Sequence, residues 1–182
     1  PSLKKDNKNA LSKKIKNVLI FMGGADTKKL TLKLIAIFKL KEFSHLNLSI
    51  VVGLNNKFKK KIFKSAKSRS NTKVYYNLPN LEKLIKSSDV AISGGGSVIW
   101  EFIYLELPSL IICQNILQFN NLAKLTKYRA FKLFDFSIYG KNKMIKFLKT
   151  NLLNNNFFIK NKIKKIFDEN GVYRIKKVIE KL

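Results

Sequence analysis

At 182 residues the chain is long enough for one domain with a sizeable core and too short for two full ones. Its formal net charge of +26 invites a polyanion partner, yet of 37 basic residues only Arg69, Arg129 and Arg174 are arginine, the residue whose fork reads bases and grips phosphate. Lysines scattered over nearly every predicted helix and loop beside abundant Asn, Ile and Phe point to compositional drift rather than to a specific nucleic-acid partner.

Residues 1–16 are polar and basic and read as a linker. From there short apolar runs alternate with amphipathic ones. NVLIFM (17–22) predicts a buried strand, and KKLTLKLIAIFKL (28–40) a helix with Leu30, Leu34, Ile37 and Phe38 on one face. LSIVVG (48–53) predicts a second strand, KFKKKIFKSAK (57–67) a helix, and TKVYY (72–76) a strand ending in the turn NLPN (77–80). Asn80 is placed to cap a helix over 81–88, with Glu82 in its first turn, where the helix dipole favours an acid. Strand 89–93, helix 97–106, strand 108–113, helix 118–127 and a short strand near 130–134 follow. Two basic helices close the chain at about 141–153 and 156–182, the second broken at Asn170-Gly171. Strands alternating with helices require a parallel sheet covered on both faces, so residues 17–182 are expected to form one doubly wound, Rossmann-like α/β domain.

Several functions are excluded or disfavoured on the way. The lone Cys113 cannot form an internal disulfide and, in the apolar run SLIICQ, reads as a buried inert thiol. With no N-terminal signal pattern, a reducing cytoplasm is the expected compartment. One Cys and one His do not make a metal cluster, and no metal or other cofactor is expected. The most apolar region, 89–117, is interrupted by three glycines, Pro108, Glu101 and Glu106, which makes it a poor transmembrane span.

In a sheet of this class ligands bind beyond the carboxyl ends of the strands. Two loops there carry glycines: Gly23-Gly24-Ala25-Asp26 after the first strand and Gly94-Gly95-Gly96-Ser97 after the fourth. Neither follows G-x-G-x-x-G or the P-loop pattern. Each glycine inside an element costs about 0.5–1 kcal/mol relative to alanine, so three in succession serve either a tight turn or a ligand lying against bare backbone. Ser97 and Glu101, four residues apart, share a helix face. There the hydroxyl can meet a phosphate oxygen while the carboxylate accepts from a vicinal diol such as a ribose. The apolar neighbours Trp100, Phe102, Ile103 and Leu105 are expected to leave Glu101 little solvated face.

The strings NVLIFMGGADTKKLTLKLI, LPNLEKLIKSSDVAISGGGSVIWEFIYLELPSLII and QFNN, over about residues 17–135 with a weaker echo at 168–175, resemble the C-terminal half of the PseG/SpsG family. These are UDP-sugar hydrolases of pseudaminic acid and related surface-polysaccharide pathways, similar in fold to the MurG glycosyltransferases of the GT-B class. The resemblance implies that Gly23 and Gly24 form a first glycine pair and that Gly94, Gly95, Gly96 and Ser97 face the UDP diphosphate. By the same resemblance Glu101 holds the ribose hydroxyls, the backbone of Tyr76, Asn77 and Leu78 reads the uracil edge, and Gln118 and Asn121 lie near the sugar. The sequence departs from the family in having Ser-Val after Gly96 and QNIL before Gln118.

The resemblance further implies a two-domain parent whose catalytic histidine lies in an N-terminal half absent here. His45 is expected to be structural, so this chain is expected to bind UDP or a UDP-sugar without a full catalytic apparatus and to contribute no catalytic residue of its own. A MurG-like glycosyltransferase donor domain remains an alternative, as does a non-enzymatic basic module that binds polyanions through its lysines.

Overall fold

Val18, Leu19 and Ile20 are all buried within the strand Asn17–Phe21 (β1), the pattern of a strand covered on both sides. The computed structural model, which describes residues 14–153 and 170–180, shows what covers it. β1 lies within a six-stranded sheet with Asn47–Val52 (β2), Thr72–Tyr76 (β3), Val90–Ser93 (β4), Ser109–Cys113 (β5) and Phe131–Asp135 (β6). The order is β3-β2-β1-β4-β5-β6 and every neighbouring pair is parallel. This is the doubly wound α/β architecture expected from the alternation, with its strand order reversing between β1 and β4.

The helices are Leu30–Phe38 (α1), Lys59–Lys67 (α2), Glu82–Ser87 (α3), Ile99–Tyr104 (α4), Ile116–Ala123 (α5), Phe136–Leu152 (α6) and Gly171–Ile179 (α7). Side chains alternate across the sheet and so sort the core into two layers. Val18, Ile20, Ile50, Ile92 and Ile112 pack with Leu34 and Phe38 of α1, Ile62 of α2 and Leu148 of α6. On the other face Leu19, Val51 and Ala91 meet Ile85 of α3 and Phe102 of α4, while Ile111 and Cys113 meet Ile99 of α4 and Leu122 of α5. Each fully buried side chain of this kind stabilises the fold by about 1.5–3 kcal/mol.

Element ends differ from the sequence expectation where side chains capture backbone groups. The first helix begins at Leu30 rather than 28, because the Asp26 carboxylate accepts from the N–H groups of Leu30 and Thr31. Helix α5 begins at Ile116 because Asn115 caps it, accepting from Gln118 N–H at 2.9 Å. Residues 118–127 are therefore split between α5 and a separate 3₁₀ turn over Thr126–Tyr128. Helix α4 is shorter than 97–106, and Ser97 lies in the turn that leads into it. The segment expected at 141–153 is continuous with a turn from Phe136, interrupted at Gly140 with φ 64° and ψ −170°. Asn80 does accept from Glu82 N–H, at 3.3 Å. Most of the stretch read as a linker, and the start of the last expected helix, lie outside the described residues. Ile15, though, is buried, and Lys16 and Asn17 N–H both bond to Asp89 Oδ2, at 3.0 and 2.8 Å.

Candidate functional site

Phe21 of β1 pairs with Ser93 of β4, so the two glycine loops leave the sheet at the same level, side by side at the strand-order reversal. That is where an open parallel sheet forms its ligand crevice. The two loops are nevertheless built differently.

In the first, Gly23 has φ +86° and the chain turns sharply through Asp26 (φ 45°) and Lys29 (φ 56°). Asp26 is only 2% exposed, and its carboxylate oxygens accept from Leu30 N–H at 2.7 Å and Thr31 N–H at 2.9 Å. Burial pushes its pKa up from the usual 3.8, and the hydrogen bonds from Thr31 and Leu30 oppose that shift. The N-terminus of α1, where a bound phosphate would otherwise lie, is thus taken by the protein's own carboxyl group. Gly24 has open space on its Cβ side, yet Gly53 after β2 is pressed against it, since a Cβ on Gly53 would lie 2.5 Å from Gly24 Cα.

In the second loop each glycine has its own reason. A Cβ on Gly94 would stand 2.9 Å from Gln114 Nε2 and 3.0 Å from the Met22 carbonyl oxygen. Gly95 has φ +87° and packs toward Leu122. Gly96 is exposed, its φ is not in the left-handed range, and no protein atom lies within 4 Å of where its Cβ would be. Ile99 N–H bonds to Gly96 O at 3.2 Å and Trp100 N–H to Ser97 O at 3.1 Å, so the amides of Gly96, Ser97 and Val98 precede the first hydrogen bond of the helical ladder.

Glu101 lies one turn further on and is exposed, contrary to the expectation that its neighbours would enclose it. Ile99 and Phe102 turn into the core, leaving Trp100 (41% exposed) and Glu101 outside. Partial desolvation still raises the Glu101 pKa above its usual 4.5.

Tyr76, Asn77 and Leu78 sit at the end of β3, two strand spacings or about 10 Å from β1. Asn77 adopts φ 47° and donates its N–H to Val52 O at 2.9 Å. The Tyr76 hydroxyl donates to Leu54 O at 3.4 Å, and Leu78 packs against the layer under α3 and α4. Gln118 and Asn121 are on α5, with Asn121 exposed and Gln118 Oε1 accepting from Gln114 N–H at 2.9 Å. His45 is exposed in the turn before β2, at the amino ends of the strands, opposite the glycine loops.

Three roles are not evident from the sequence: Asp26 as a carboxyl cap at a helix start, Gly53, and Gln114. Gly53 carries a usable signal, a glycine directly after an apolar strand; Gln114 stands out only as the first residue of QNIL, the departure from the family pattern before Gln118. Among the described residues no group of three or more His, Cys, Asp or Glu could hold a metal ion, and no helix is long and apolar enough to cross a membrane.

Comparison with known proteins bears on the family and the fold. The model of the glycosyltransferase family 28 C-terminal domain matches residues 17–179. An uncharacterized protein of Methanocaldococcus jannaschii, MJ1062, is 30% identical over 110 residues, covering 59% of this chain and 22% of the relative. The spore coat polysaccharide biosynthesis protein SpsG of Bacillus subtilis is 26% identical over 105 residues, covering 57% and 31%. In fold the chain is similar to Acinetobacter baumannii MurG, with TM-score 0.71, 19% identity and coverage of 94% of this chain and 51% of that one. It is also similar to the Methanocaldococcus jannaschii UDP-GlcNAc 2-epimerase solved with UDP-GlcNAc and UDP, with TM-score 0.65, 18% identity and coverage of 92% and 46%. The chain spans less than a third of these curated relatives and about half of each of these solved chains.

Proposed function

The chain belongs to the glycosyltransferase family 28 C-terminal domains, and from that premise we propose that it is the nucleotide-sugar-binding half of a two-domain enzyme, holding the UDP of a UDP-sugar over the second glycine loop. The observation that carries this reading is Gly96. Gly94 is accounted for by packing and Gly95 by its dihedral, whereas Gly96 faces open space beside uncommitted amides. A bare backbone there lets diphosphate oxygens approach to hydrogen-bonding distance. Ser97 Oγ adds a donor for the same oxygens, Glu101 accepts from the ribose diol, and the segment Tyr76–Leu78 at the end of β3 meets the base.

The role of these groups is to stabilise a leaving group. In the hydrolytic reading, supported by the similarity to SpsG, water adds to the anomeric carbon of a UDP-linked amino sugar destined for a surface polysaccharide. The bond from that carbon to the diphosphate oxygen breaks, UDP leaves with the electron pair, and a base in the other domain takes the water proton. Amides aimed at the departing diphosphate act where charge develops. A glycosyltransferase, favoured by the similarity of fold to MurG, would use this half identically and present an acceptor hydroxyl instead of water. A polyanion-binding module would give Gly96 and Glu101 no task.

Calorimetric titration with UDP and ADP at two salt concentrations, on the native chain and on Glu101→Ala, tests the proposal. Saturable binding that prefers UDP and collapses in the variant is expected. Equal, salt-sensitive uptake of both nucleotides, indifferent to Glu101, would overturn it in favour of charge-driven binding.

A further inference from the structure

We infer that Gln114 is a positioning residue that locks the two glycine loops to the segment carrying Gln118 and Asn121, so that the diphosphate side and the sugar side of the site move as one unit. The inference rests on the nucleotide-sugar reading for its meaning, though the coupling itself is a property of the fold.

Gln114 is the first residue after β5, and its carboxamide spans β4 to reach β1. Nε2 donates to Met22 O at 3.4 Å and Oε1 accepts from Thr27 Oγ1 at 3.5 Å. Passage over β4 is possible because Gly94 lacks a side chain: a Cβ there would meet Nε2 at 2.9 Å. The backbone N–H of Gln114 donates to Gln118 Oε1 at 2.9 Å, and Gln118 N–H in turn donates to Asn115 Oδ1 at 2.9 Å. One residue therefore touches the loop after β1, the loop after β4 and the start of α5.

A carboxamide suits the position because it offers a donor to a carbonyl and an acceptor to a hydroxyl at once. A carboxylate of the same shape would set an oxygen against Met22 O. Both side-chain contacts are longer than ordinary hydrogen bonds, so in the ligand-free chain they are weak, with room to shorten as the loops close on a ligand.

Hydrogen exchange read by mass spectrometry on the native chain, Gln114→Ala, Gln114→Glu and Asn121→Ala, with and without UDP, tests this. Without ligand, both Gln114 variants should exchange about tenfold faster than the native chain at residues 23–28, far from position 114 in sequence, while Asn121→Ala should not. With UDP, protection in the native chain should extend from the glycine loops to residues 114–121. In the variants it should remain at the glycine loops and vanish at 114–121, an effect that simple loosening of α5 does not produce. The isosteric Gln114→Glu keeps the test valid should the alanine variant fold poorly. Unchanged exchange at 23–28 in both Gln114 variants, or undiminished transmission of UDP protection to 114–121, would overturn the coupling. Absence of any UDP protection in the native chain would instead defeat the nucleotide reading, and the ligand-free exchange would then decide the coupling alone.

Discussion

A Cβ on Gly53 would lie 2.5 Å from the Cα of Gly24 and 2.6 Å from its carbonyl oxygen. The loop after β1 therefore rests on the bare backbone that follows β2, and a methyl group at position 53 must displace main chain, not a flexible side chain. Gly53→Ala is expected to cost about 1–3 kcal/mol, the usual range for overpacking. Gly96→Ala, with nothing in its way, should change stability by less than about 0.5 kcal/mol, the range of a neutral surface substitution, and still weaken UDP. Thermal melts paired with UDP titration separate the two outcomes; a Gly96→Ala variant that binds UDP normally would remove the main support for the diphosphate site.

Asp26 closes the first loop by capping α1. Removing both acceptors in Asp26→Ala should cost about 2 kcal/mol, measured by urea denaturation at neutral pH. Because its pKa is raised in the folded state, native Asp26 retains a proton where the unfolded chain has lost it. The pH-dependent part of its contribution to stability is full below 3.8 and is lost as pH rises through the raised value, while the capping hydrogen bonds themselves remain. The stability of Asp26→Asn relative to the native chain should accordingly improve as pH rises through that window.

In the proposed site Glu101 accepts from the ribose most strongly as a carboxylate, and its pKa lies above 4.5 because of desolvation. UDP affinity should fall as pH drops through that raised value. Glu101→Gln should remove this acid step and bind UDP about tenfold to hundredfold more weakly at pH 7, the range of a lost charge-assisted hydrogen bond. Titrations at several pH values check both points.

Burial, assisted by the charge of Asp135, pushes the Cys113 thiol up to about 12. The thiolate is the reactive form, so an aromatic disulfide reagent at pH 8 should leave the native protein unmodified and react fully once denaturant is added. Rapid labelling of the folded chain would contradict the placement of this side chain.

Arg69 donates to the carbonyl oxygens of Phe38 (3.1 Å), Phe43 (2.7 Å) and Asn71 (2.9 Å) and also to that of Leu46, holding the end of α1 and the connection into β2. Arg69→Lys cannot reproduce this fan of donors and should cost about 3 kcal/mol by leaving buried carbonyls unmet. Since its partners are carbonyls, the loss measured in urea should be nearly the same at low and high salt.

The alternation of strands and helices was legible because it depends on apolar periodicity within a dozen residues. Thr72–Tyr76 was read to the residue, and the break before Gly171 marks the start of α7. Helix starts were misplaced at Leu30, Ile116 and Phe136. In each case a side chain just upstream, Asp26, Asn115 or Asp135, accepts a backbone N–H and fixes the first turn. The three glycines stood out as a group, yet nothing local distinguishes Gly94, which makes room for Gln114, from Gly96, which faces solvent.

By itself, then, the sequence determined which segments are strands and helices and that the sheet must be parallel and covered on both faces, since periodicity and burial act over short spans. Only the tertiary structure decided that the loops after β1 and β4 adjoin, that α1's first turn is already occupied by Asp26 and that Gln114 reaches Met22, 92 positions away. Strand order sets which distant backbones come within hydrogen-bonding range, and that order arises from packing the whole sheet rather than from any residue's own preference.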